Sequence, residues 1–426
     1  MTTLENLRTA AKPHIEARSV AASDISEIVS CAARRPVRVL VVFNTVFLYG
    51  MERYVLDLFD LLRPDVVPHF LLSYTLKRLK LPLLGEIQGK GFHYSFFGDR
   101  SDWPKIAWPR SLGELWPMLA ALVRGNLTVL RRALGCDVLY LPSISYLYMA
   151  ILAALYCRLA GKRTVLCFHD LNPGPARRVR AASLLISDFV HHTRLGYEQV
   201  VRSHSGVARK RTLILPGRTE VRTDDGTTAE LRHHFLGKRN LLFAGQVAQH
   251  KGIDLLLEAF ARLATDHPDV ALHIAGGCTD EAELRSMIAA TGAEDRIHYW
   301  GFRQDVPDLL RMSYLYVHPS PPSRFQESFG RGVVEAMALG VPVVCFRSGA
   351  LQEVVVDGAT GLVAEQETPA ALAQTIGRFL DDPAFRSRCS RAARLRFEQF
   401  YSDECIHDAW VQFFRQPAEK GLPSAR

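Results

Sequence analysis

Short apolar runs recur along this chain, and each is long enough for a buried strand but too short for a buried helix. In the first half, the runs lie at 36–43, 69–73, 137–141, 164–168 and 212–215. Helical patterns separate several of them, which is the alternation expected of a parallel sheet covered by helices. The first half therefore predicts one Rossmann-like unit.

A second series of apolar runs follows a polar, turn-rich segment at 221–238, which we interpret as a linker. These runs lie at 240–244, 270–275, 297–300, 315–317 and 342–346. Helices are predicted between them and again at about 368–381, 384–399 and 402–415. Two Rossmann-like units in one chain would each bind ligands where their strands end.

This pattern predicts four segments. They are a poorly packed extension at 1–35, a first Rossmann-like domain at 36–220, a second Rossmann-like domain at 221–400, and a C-terminal helix and tail at 401–426.

The cysteine pattern indicates a reducing compartment. The eight cysteines are scattered, no two form a CxxC pair, and Cys167 and Cys345 stand inside apolar runs. This favours buried thiols over a zinc site or a disulfide framework. The N-terminus lacks a signal-peptide pattern, and the most apolar stretch, 144–159, is predicted to be a core helix because it is too short to span a bilayer. We therefore expect a cytoplasmic protein.

Charge is distributed unevenly between the two halves. Residues 1–220 carry 30 Lys and Arg against 17 Asp and Glu, whereas residues 221–426 carry 22 against 27. The segment 103–135 combines three tryptophans with several basic residues, a composition that suits an anionic membrane surface. A helical pair with a solvated basic face explains this segment equally well. Nucleic acid is the weaker partner, because no nucleic-acid-binding motif is present.

The strongest chemical signal is a pair of glutamates, Glu327 and Glu335, with seven residues between them. The pair follows an apolar run and opens a helical stretch that ends at Gly340. A helix start favours an anionic ligand, and Gly330 allows that ligand to approach the backbone. A phosphate bound at the helix start would have a carboxylate on either side, and each carboxylate could accept hydrogen bonds from hydroxyl groups of the ligand. A ligand with a phosphate flanked by hydroxyl groups is a sugar nucleotide.

A second signal follows the first strand of the second series. The loop from Gly245 to Gly252 places Lys251 at a helix entrance, where a lysine can bind phosphate as a point charge. Alone this signal is weak, since a lysine on such a loop is usually solvated. Together with the two glutamates about 80 residues later, it becomes specific.

Several motifs together resemble a known family, the retaining glycosyltransferases of family 4, which have the two-domain GT-B fold. In the second half the motifs are Gly245…Lys251-Gly252, Gly301-Phe302, Pro319-Ser320, Glu327-Ser328-Phe329-Gly330…Glu335-Ala336-Met337 and Gly349…Glu353…Asp357-Gly358…Gly361-Leu362-Val363. The first half is similar less sharply, through Gly50-Met51-Glu52-Arg53, Phe168-His169-Asp170 and Leu215-Pro216-Gly217. The resemblance covers roughly residues 36–415.

The resemblance implies that the domain at 36–220 binds the acceptor, that the domain at 221–400 binds the nucleotide sugar, and that the helix and tail at 401–426 pack back on the first domain. It also implies roles for individual residues. Glu335 would bind the ribose hydroxyls, and Lys251 would neutralise the departing diphosphate. Glu327 and His169 would lie beside the transferred sugar and are the expected catalytic residues. The remaining donor-binding residues would be Gly50, Gln246, Phe302, Arg303, Ser328, Phe329, Gly330 and Arg331.

The family usually needs no divalent metal, and this chain has no Asp-x-Asp motif at a plausible site. No metal and no cofactor are therefore expected beyond the nucleotide sugar itself. The neighbouring histidines His191 and His192 resemble a metal pair only superficially, because adjacent strand residues point to opposite faces.

Two positions depart from the family pattern. Gln246 stands where the family commonly has arginine, and Tyr49 stands where it often has the first of two glycines. Arg324 or Arg331 could supply the missing charge, although solvated arginines explain either one more simply.

The prediction is a retaining hexosyltransferase that uses a UDP-, GDP- or ADP-sugar. Its acceptor would be a glycan or a polyprenyl- or other lipid-linked molecule, in surface polysaccharide or glycolipid synthesis, at the inner face of the plasma membrane. The alternatives are a GT-B epimerase or phosphorylase, a catalytically degenerate GT-B scaffold or nucleotide-binding protein, and a nucleic-acid binder suggested by charge alone.

Overall fold

The computed structural model describes residues 35–45, 50–97, 112–169, 171, 176–208, 210–219, 221 and 229–417. These residues form two compact units. The first unit comprises the described residues up to Arg218 together with those from Ile406 onwards, and the second comprises Thr219–Cys405.

The first unit is built on a seven-stranded parallel sheet with the order β3-β2-β1-β4-β5-β6-β7. Its strands are β1 (Val37–Phe43), β2 (Val66–Leu72), β3 (His93–Phe96), β4 (Val138–Leu141), β5 (Arg163–Phe168), β6 (Asp188–His191) and β7 (Arg211–Ile214). The central strands are apolar over most of their length, as in β1 from Val39 to Phe43 and in all of β4, because helices cover both faces of the sheet.

Helices connect these strands. They are α1 (Gly50–Leu61), α2 (Tyr74–Leu79), α3 (Pro82–Gly89), α4 (Leu112–Ala133), α5 (Ile151–Leu159), α6 (Ala176–Leu185), α7 (Arg194–Ser203) and α8 (Ser205–Ala208), with a 3₁₀ helix at Ile144–Met149.

The second unit is built on a six-stranded parallel sheet with the order β10-β9-β8-β11-β12-β13. Its strands are β8 (Arg239–Ala244), β9 (Val270–Ala275), β10 (Ile297–Tyr299), β11 (Leu315–His318), β12 (Val343–Phe346) and β13 (Gly361–Ala364). The strand order reverses between β8 and β11, which places a crevice at their carboxyl ends.

The helices of this unit follow the predicted alternation. They are α9 (Ala229–Phe235), α10 (Ile253–Asp266), α11 (Glu281–Ala290), α12 (Val306–Arg311), α13 (Arg331–Ala338), α14 (Leu351–Val354), α15 (Pro369–Asp381) and α16 (Pro383–Phe400), with 3₁₀ helices at Gln249–Lys251 and Glu294–Arg296. Helix α9 corrects the interpretation of 221–238 as a linker. Leu231 and Phe235 lie one turn apart and are both buried, so the part of this segment that forms α9 packs against the second unit despite its polar composition.

The last helix, α17 (Asp403–Arg415), returns the chain to the first unit. Trp410, Phe413 and Phe414 belong to the core of that unit, where Phe414 lies 6.1 Å from Phe59 and Trp410 lies 6.3 Å from Tyr140, centroid to centroid. Arg163 of β5 donates to the carbonyl oxygens of Phe413, Phe414 and Gln416. A cation at a helix C-terminus satisfies carbonyl groups that would otherwise lack donors. The predicted packing of this helix on the first domain is confirmed.

The apolar stretch 144–159 differs from its prediction as a core helix. It forms the 3₁₀ helix and α5, and α5 buries Ala153, Ala154 and Cys157 while one face exposes large side chains. The exposed residues are Ile151, Leu152, Leu155 and Leu159. No helix in the described ranges is both long and apolar enough to cross a membrane. The seven described cysteines are all free, and Cys167 and Cys345 are buried as predicted.

Trp410→Ala tests the role of α17 in the first unit. Because this side chain is fully buried, we expect the free energy of unfolding of the first unit to fall by about 3–5 kcal/mol. Chemical denaturation followed by circular dichroism measures this change. Gln412→Ala, at an exposed position on the same helix, is the matched control. An equal effect of both substitutions would contradict the assignment of Trp410 to the core.

Candidate active site

The two strongest sequence signals lie at the carboxyl ends of neighbouring strands. Lys251 ends the loop that follows β8, and Glu327 lies in the loop that follows β11. Strands β8 and β11 pair in parallel at the point where the strand order of the sheet reverses. Residues about 76 positions apart in sequence are thereby brought into contact at the position where sheets of this type bind ligands.

Three hydrogen-bond donors converge on one oxygen of Glu327. Lys251 Nζ lies 2.7 Å from Oε1, His318 Nε2 lies 2.9 Å from it, and Ser320 Oγ lies 2.7 Å from it. The ammonium group of Lys251 also lies 3.7 Å from the centroid of the Phe325 ring. Lysine has three N–H donors, so after its bond to Glu327 others remain for a ligand.

Glu327 is a buried carboxylate that stays ionised. Burial alone would raise its pKa, but the charges and hydrogen bonds of His318 and Lys251 outweigh that effect and hold the pKa of Glu327 well below its usual range. A carboxylate held in this state accepts hydrogen bonds and does not act as an acid near neutral pH.

Two glycines make the local backbone geometry possible. Gly252 has a φ of 75°, and a Cβ at this position would lie 1.9 Å from the carbonyl oxygen of Pro319. Only glycine therefore lets the Lys251 loop approach the loop after β11 so closely. Gly330 precedes α13 with a φ of 80°, and a Cβ there would lie 2.4 Å from Leu351 Cδ2.

The second carboxylate, Glu335, lies on α13 and faces a different environment. Its Oε1 accepts a hydrogen bond of 3.0 Å from Arg331 Nε. Burial raises the pKa of Glu335 above its usual value, and the neighbouring charge of Arg331 opposes this rise. Arg331 therefore does not stand free to replace the arginine that Gln246 lacks. Arg324 does not either, because it donates to Asp254 Oδ2 at 2.7 Å.

The other predicted donor-binding residues of this unit are accessible to different degrees. Gln246 is exposed, and Phe302 is 72% exposed, which is unusual for an aromatic side chain without a ligand. Arg303 forms a two-point ion pair with Asp305, with distances of 2.8 and 2.5 Å. Ser328 and Phe329 are half-buried beside the start of α13.

Two predicted residues belong to the first unit. Gly50 is the first residue of α1, and His169 directly follows β5. His169 Nδ1 lies 3.0 Å from His192 Nε2, whereas His191 stacks on Phe168 with a centroid distance of 4.9 Å. Adjacent histidines thus face different surroundings, as the strand geometry predicts.

Among the described side chains, Cys167, His169 and His192 are the group whose ligand atoms lie close enough to hold a metal ion, within 4.8 Å of one another. Hydrogen bonds between His169, His192 and the Leu215 carbonyl account for the positions of both imidazoles. The expectation that the chain uses no metal therefore stays a prediction.

The sequence analysis missed His318 and Ser320 as site residues. Ser320 stands out in the sequence only as part of the family motif Pro319-Ser320, and His318 belongs to no motif. Their position at the carboxyl end of a parallel strand was the available signal, since that edge of the sheet is where ligands bind. Phe325, beneath the Lys251 ammonium, had no comparable signal.

The chain is similar to known proteins in sequence and in fold. Residues 231–396 match the family described as Glycosyl transferases group 1. The second unit therefore contains a glycosyl transferases group 1 domain. The chain is 36% identical over 172 residues to a D-inositol 3-phosphate glycosyltransferase of Arthrobacter sp. (strain FB24), covering 38% of this chain and 39% of that protein.

Two further similarities extend this finding. Over 145 residues the chain is 36% identical to the lipopolysaccharide core biosynthesis mannosyltransferase LpsB of Rhizobium meliloti (strain 1021), covering 32% of this chain and 40% of that protein. The chain thus spans about half or less of the curated relatives it matches. The crystal structure of Anabaena HepE in complex with UDP and glucose matches with a TM-score of 0.68 at 20% identity, covering 88% of this chain and 99% of that one. This likeness concerns the fold, and the predicted GT-B class with two Rossmann-like domains is confirmed.

Glu327→Gln tests the electrostatic description of the site. The pKa of Glu327 is depressed in the folded state, so its stabilising contribution is complete above the unfolded value of about 4.3 and is lost as pH falls below that value. We expect the wild type to be more stable than Glu327→Gln near pH 7. This difference in unfolding free energy should narrow steadily below about pH 4.3.

Chemical denaturation at a series of pH values measures the difference. Glu294→Gln, at an exposed position of the same unit, should differ little from the wild type at any pH. A gap between the wild type and Glu327→Gln that stays constant down to pH 3 would contradict the depressed pKa.

Proposed function

We propose that this protein is a retaining, metal-independent hexosyltransferase. It would transfer a hexose from a UDP-, GDP- or ADP-sugar to a glycan or lipid-linked acceptor. The observation that carries the proposal is the convergence of Lys251, His318 and Ser320 on Glu327 at the end of β11. The start of α13 lies between Glu327 and Glu335 in the sequence. The glycosyl transferases group 1 domain includes all of these residues.

The nucleotide would bind along α13. Glu335 is half-buried and accepts a hydrogen bond from Arg331, and its carboxylate would accept hydrogen bonds from the two ribose hydroxyls. The first turn of α13 has N–H groups without helical partners, which would receive the diphosphate at the positive end of the helix dipole. Phe302 and Arg303 would lie near the base, and exposed Phe302 could stack against it.

Bond cleavage would leave negative charge on the diphosphate and positive charge at the anomeric carbon. Lys251 would stabilise the leaving diphosphate through the N–H donors that Glu327 does not use, and a charge fixed in place needs no reorganisation as the bond breaks. The ionised Glu327 would accept hydrogen bonds from hydroxyls of the transferred hexose. The hydrogen bonds from Lys251, His318 and Ser320 hold the Glu327 carboxylate in position before the nucleotide sugar binds.

Retention of anomeric configuration is proposed from the resemblance to family 4. In that chemistry the leaving phosphate takes the proton of the acceptor hydroxyl on the same face of the sugar. No separate general base is needed, and none is assigned to this chain.

We also propose that the protein works at an anionic membrane surface. Trp103 and Trp108 of the segment that suggested this lie outside the described residues, but its third tryptophan, Trp116, is 76% exposed on α4. On the same helix, Leu119, Val123 and Leu127 are exposed at helical spacing. Large apolar patches are rare on proteins that contact only water.

Neighbouring helices extend this apolar surface. Asn126 of α4 accepts from the backbone N–H of Leu152 at 3.1 Å, which places the exposed face of α5 beside that of α4. Arg158 of α5 donates to the carbonyl oxygen of Leu184 on α6, and Leu184 is also exposed. Seven exposed arginines lie on these three helices: Arg124, Arg131, Arg132, Arg158, Arg177, Arg178 and Arg180.

The charge on this surface favours an anionic bilayer over a second copy of the chain. None of the described side chains of α4, α5 and α6 is acidic, so a second copy would place arginine against arginine. Nucleic acid would attract the arginines but would leave the leucines and Trp116 exposed. Anionic lipid offers both phosphate groups and acyl chains.

A catalytically degenerate scaffold is the second candidate, favoured by Gln246 and by the loss of a free arginine near it. Titration calorimetry with UDP, GDP and ADP separates the two candidates. Nucleotide binding without release of nucleoside diphosphate from any sugar donor would favour the scaffold.

Lys251→Ala and Glu335→Ala test the assigned roles. We expect Lys251→Ala to lower kcat by about 10²- to 10³-fold, because it removes charge that stabilises the transition state. Glu335→Ala should chiefly raise KM for the donor and weaken nucleotide binding. Release of nucleoside diphosphate in a screen of sugar donors measures both. Lys238→Ala, at an exposed lysine of the same unit, is the control. Activity like that of the wild type in both variants would refute the site.

Arg131→Gln combined with Arg132→Gln tests the membrane surface. At ~1 kcal/mol per arginine, we expect binding to vesicles containing phosphatidylglycerol to weaken about 30-fold. The double substitution of Leu155→Asp and Leu159→Asp should abolish vesicle binding, since it removes the apolar contact with the membrane. Leu236→Asp, at a leucine 81% exposed in the second unit, should have no effect. Co-sedimentation measures each, and equal binding to neutral vesicles would contradict the proposal.

A further inference from the structure

The carboxyl ends of β5 and β6 bring two histidines into a hydrogen-bonded chain. Phe168 pairs with His191 at the end of the two strands, so the next residues, His169 and His192, stand side by side. His192 Nδ1 lies 3.0 Å from the carbonyl oxygen of Leu215, and His192 Nε2 lies 3.0 Å from His169 Nδ1. Tyr54 of α1 packs edge-on against both rings, with centroid distances of 4.5 and 5.0 Å.

The hydrogen bonds that join Leu215, His192 and His169 determine which nitrogen of each imidazole ring carries the proton. The Leu215 carbonyl can only accept, so His192 Nδ1 carries a proton. A neutral imidazole has one N–H, which leaves a lone pair on His192 Nε2. His169 Nδ1 lies at hydrogen-bonding distance from that lone pair and must therefore donate to it. His169 Nε2 is then left without a proton.

Two other distributions of protons on His169 and His192 are less favourable. A doubly protonated His192 would need a buried positive charge, and burial lowers the pKa of His192 to about 4 even though the Leu215 carbonyl opposes the shift. Burial, reinforced by His192, also holds the pKa of His169 well below its usual value. The Cys167 thiol, with Sγ 3.4 Å from His192 Nε2, could share that lone pair. Without a proton on His169 Nδ1, however, two lone pairs would face each other at 3.0 Å.

We propose that His192 is a positioning residue that holds His169 in the Nδ1–H tautomer. His169 then presents an unprotonated Nε2, a buried atom that has no hydrogen-bond partner among the described residues. Such a nitrogen accepts a hydrogen bond from a hydroxyl but cannot donate one to a phosphate oxygen. The group that His169 recognises is therefore a hydroxyl of the transferred sugar or of the acceptor. This last step rests on the proposed function, whereas the tautomer does not.

The tautomer can be measured without any assay of activity. In protein labelled with ¹⁵N at histidine, two-dimensional NMR distinguishes protonated from unprotonated ring nitrogens. We expect His169 to show a protonated Nδ1 and an unprotonated Nε2 at pH 7. His169→Gln assigns its resonances. A protonated Nε2 on His169 in the wild type would overturn the proposal even if the protein proves to be an active glycosyltransferase.

Two substitutions of His192 test its effect on His169. His192→Leu removes the acceptor, and we expect the His169 tautomers to mix and kcat to fall ~10-fold or more. His192→Gln keeps an oxygen acceptor near the position of Nε2, so it should restore most of the Nδ1–H form and most of kcat. Exposed His93→Leu in the same unit is the control. Equal behaviour of the leucine and glutamine variants would overturn the positioning role.

Two further measurements separate a positioning role of His192 from nucleotide binding and from metal binding. His192→Leu should bind UDP as the wild type does, because nucleotide contacts are assigned to the second unit. Elemental analysis should find no stoichiometric metal. One zinc ion per chain, whose removal by a chelator changes the His169 resonances, would overturn the proposal because the metal would replace the shared proton.

Discussion

The carboxylate of Glu327 is buried between two loops, and an ionised group in that position is stable only if charge and hydrogen bonds compensate its loss of water. Lys251, His318 and Ser320 provide that compensation from the ends of two different strands. Their meeting requires the Lys251 loop to approach the Pro319 carbonyl, which is why a glycine in the left-handed region follows Lys251. The buried charge of Glu327 thus largely determines the backbone geometry of these two loops of the second unit.

The first unit has the same parallel-sheet architecture but a different set of side chains at its strand ends. At the ends of β5 and β6 it places neutral imidazoles where the second unit places an ion pair. Burial favours the neutral form of a histidine, and it is the hydrogen bond to a backbone carbonyl that gives the ring a defined orientation of donors and acceptors. One unit therefore offers fixed charge and the other a fixed lone pair, both at the carboxyl ends of parallel strands.

Much of this could be predicted from the sequence, for reasons that are local. Runs such as that of β1 have five consecutive buried apolar residues, Val39 to Phe43, and such a run indicates a strand covered on both faces. Glu327, Glu335 and Lys251 stand out because charged residues at strand ends and helix starts are easily recognised. Strands β3, β6 and β13 are absent from the predicted runs, although they are as long as several strands that were predicted. Strand β3 lies at the edge of its sheet and has no fully buried position, so it lacks the apolar pattern of a central strand. Helix α9 was missed because two buried residues decide its packing within a polar segment.

The interactions that could not be predicted are those between distant segments. Nothing near His318 in the sequence shows that its ring meets Glu327 rather than solvent. Likewise, periodicity describes α5 as apolar but does not show which of its faces meets the sheet. The pairing of His169 with His192 depends on the register of β5 against β6, which no local pattern encodes.

The position of α17 has a consequence for how the protein is made. Tyr140 and Phe59 precede the second unit in the sequence, yet the side chains that cover them, Trp410 and Phe414, follow that unit and are synthesised after it. Until then the nascent first unit has an open apolar groove, while the whole glycosyl transferases group 1 domain has already emerged. The first unit therefore closes its core only after the second unit has been synthesised, and a chain whose synthesis stops before α17 leaves that groove uncovered.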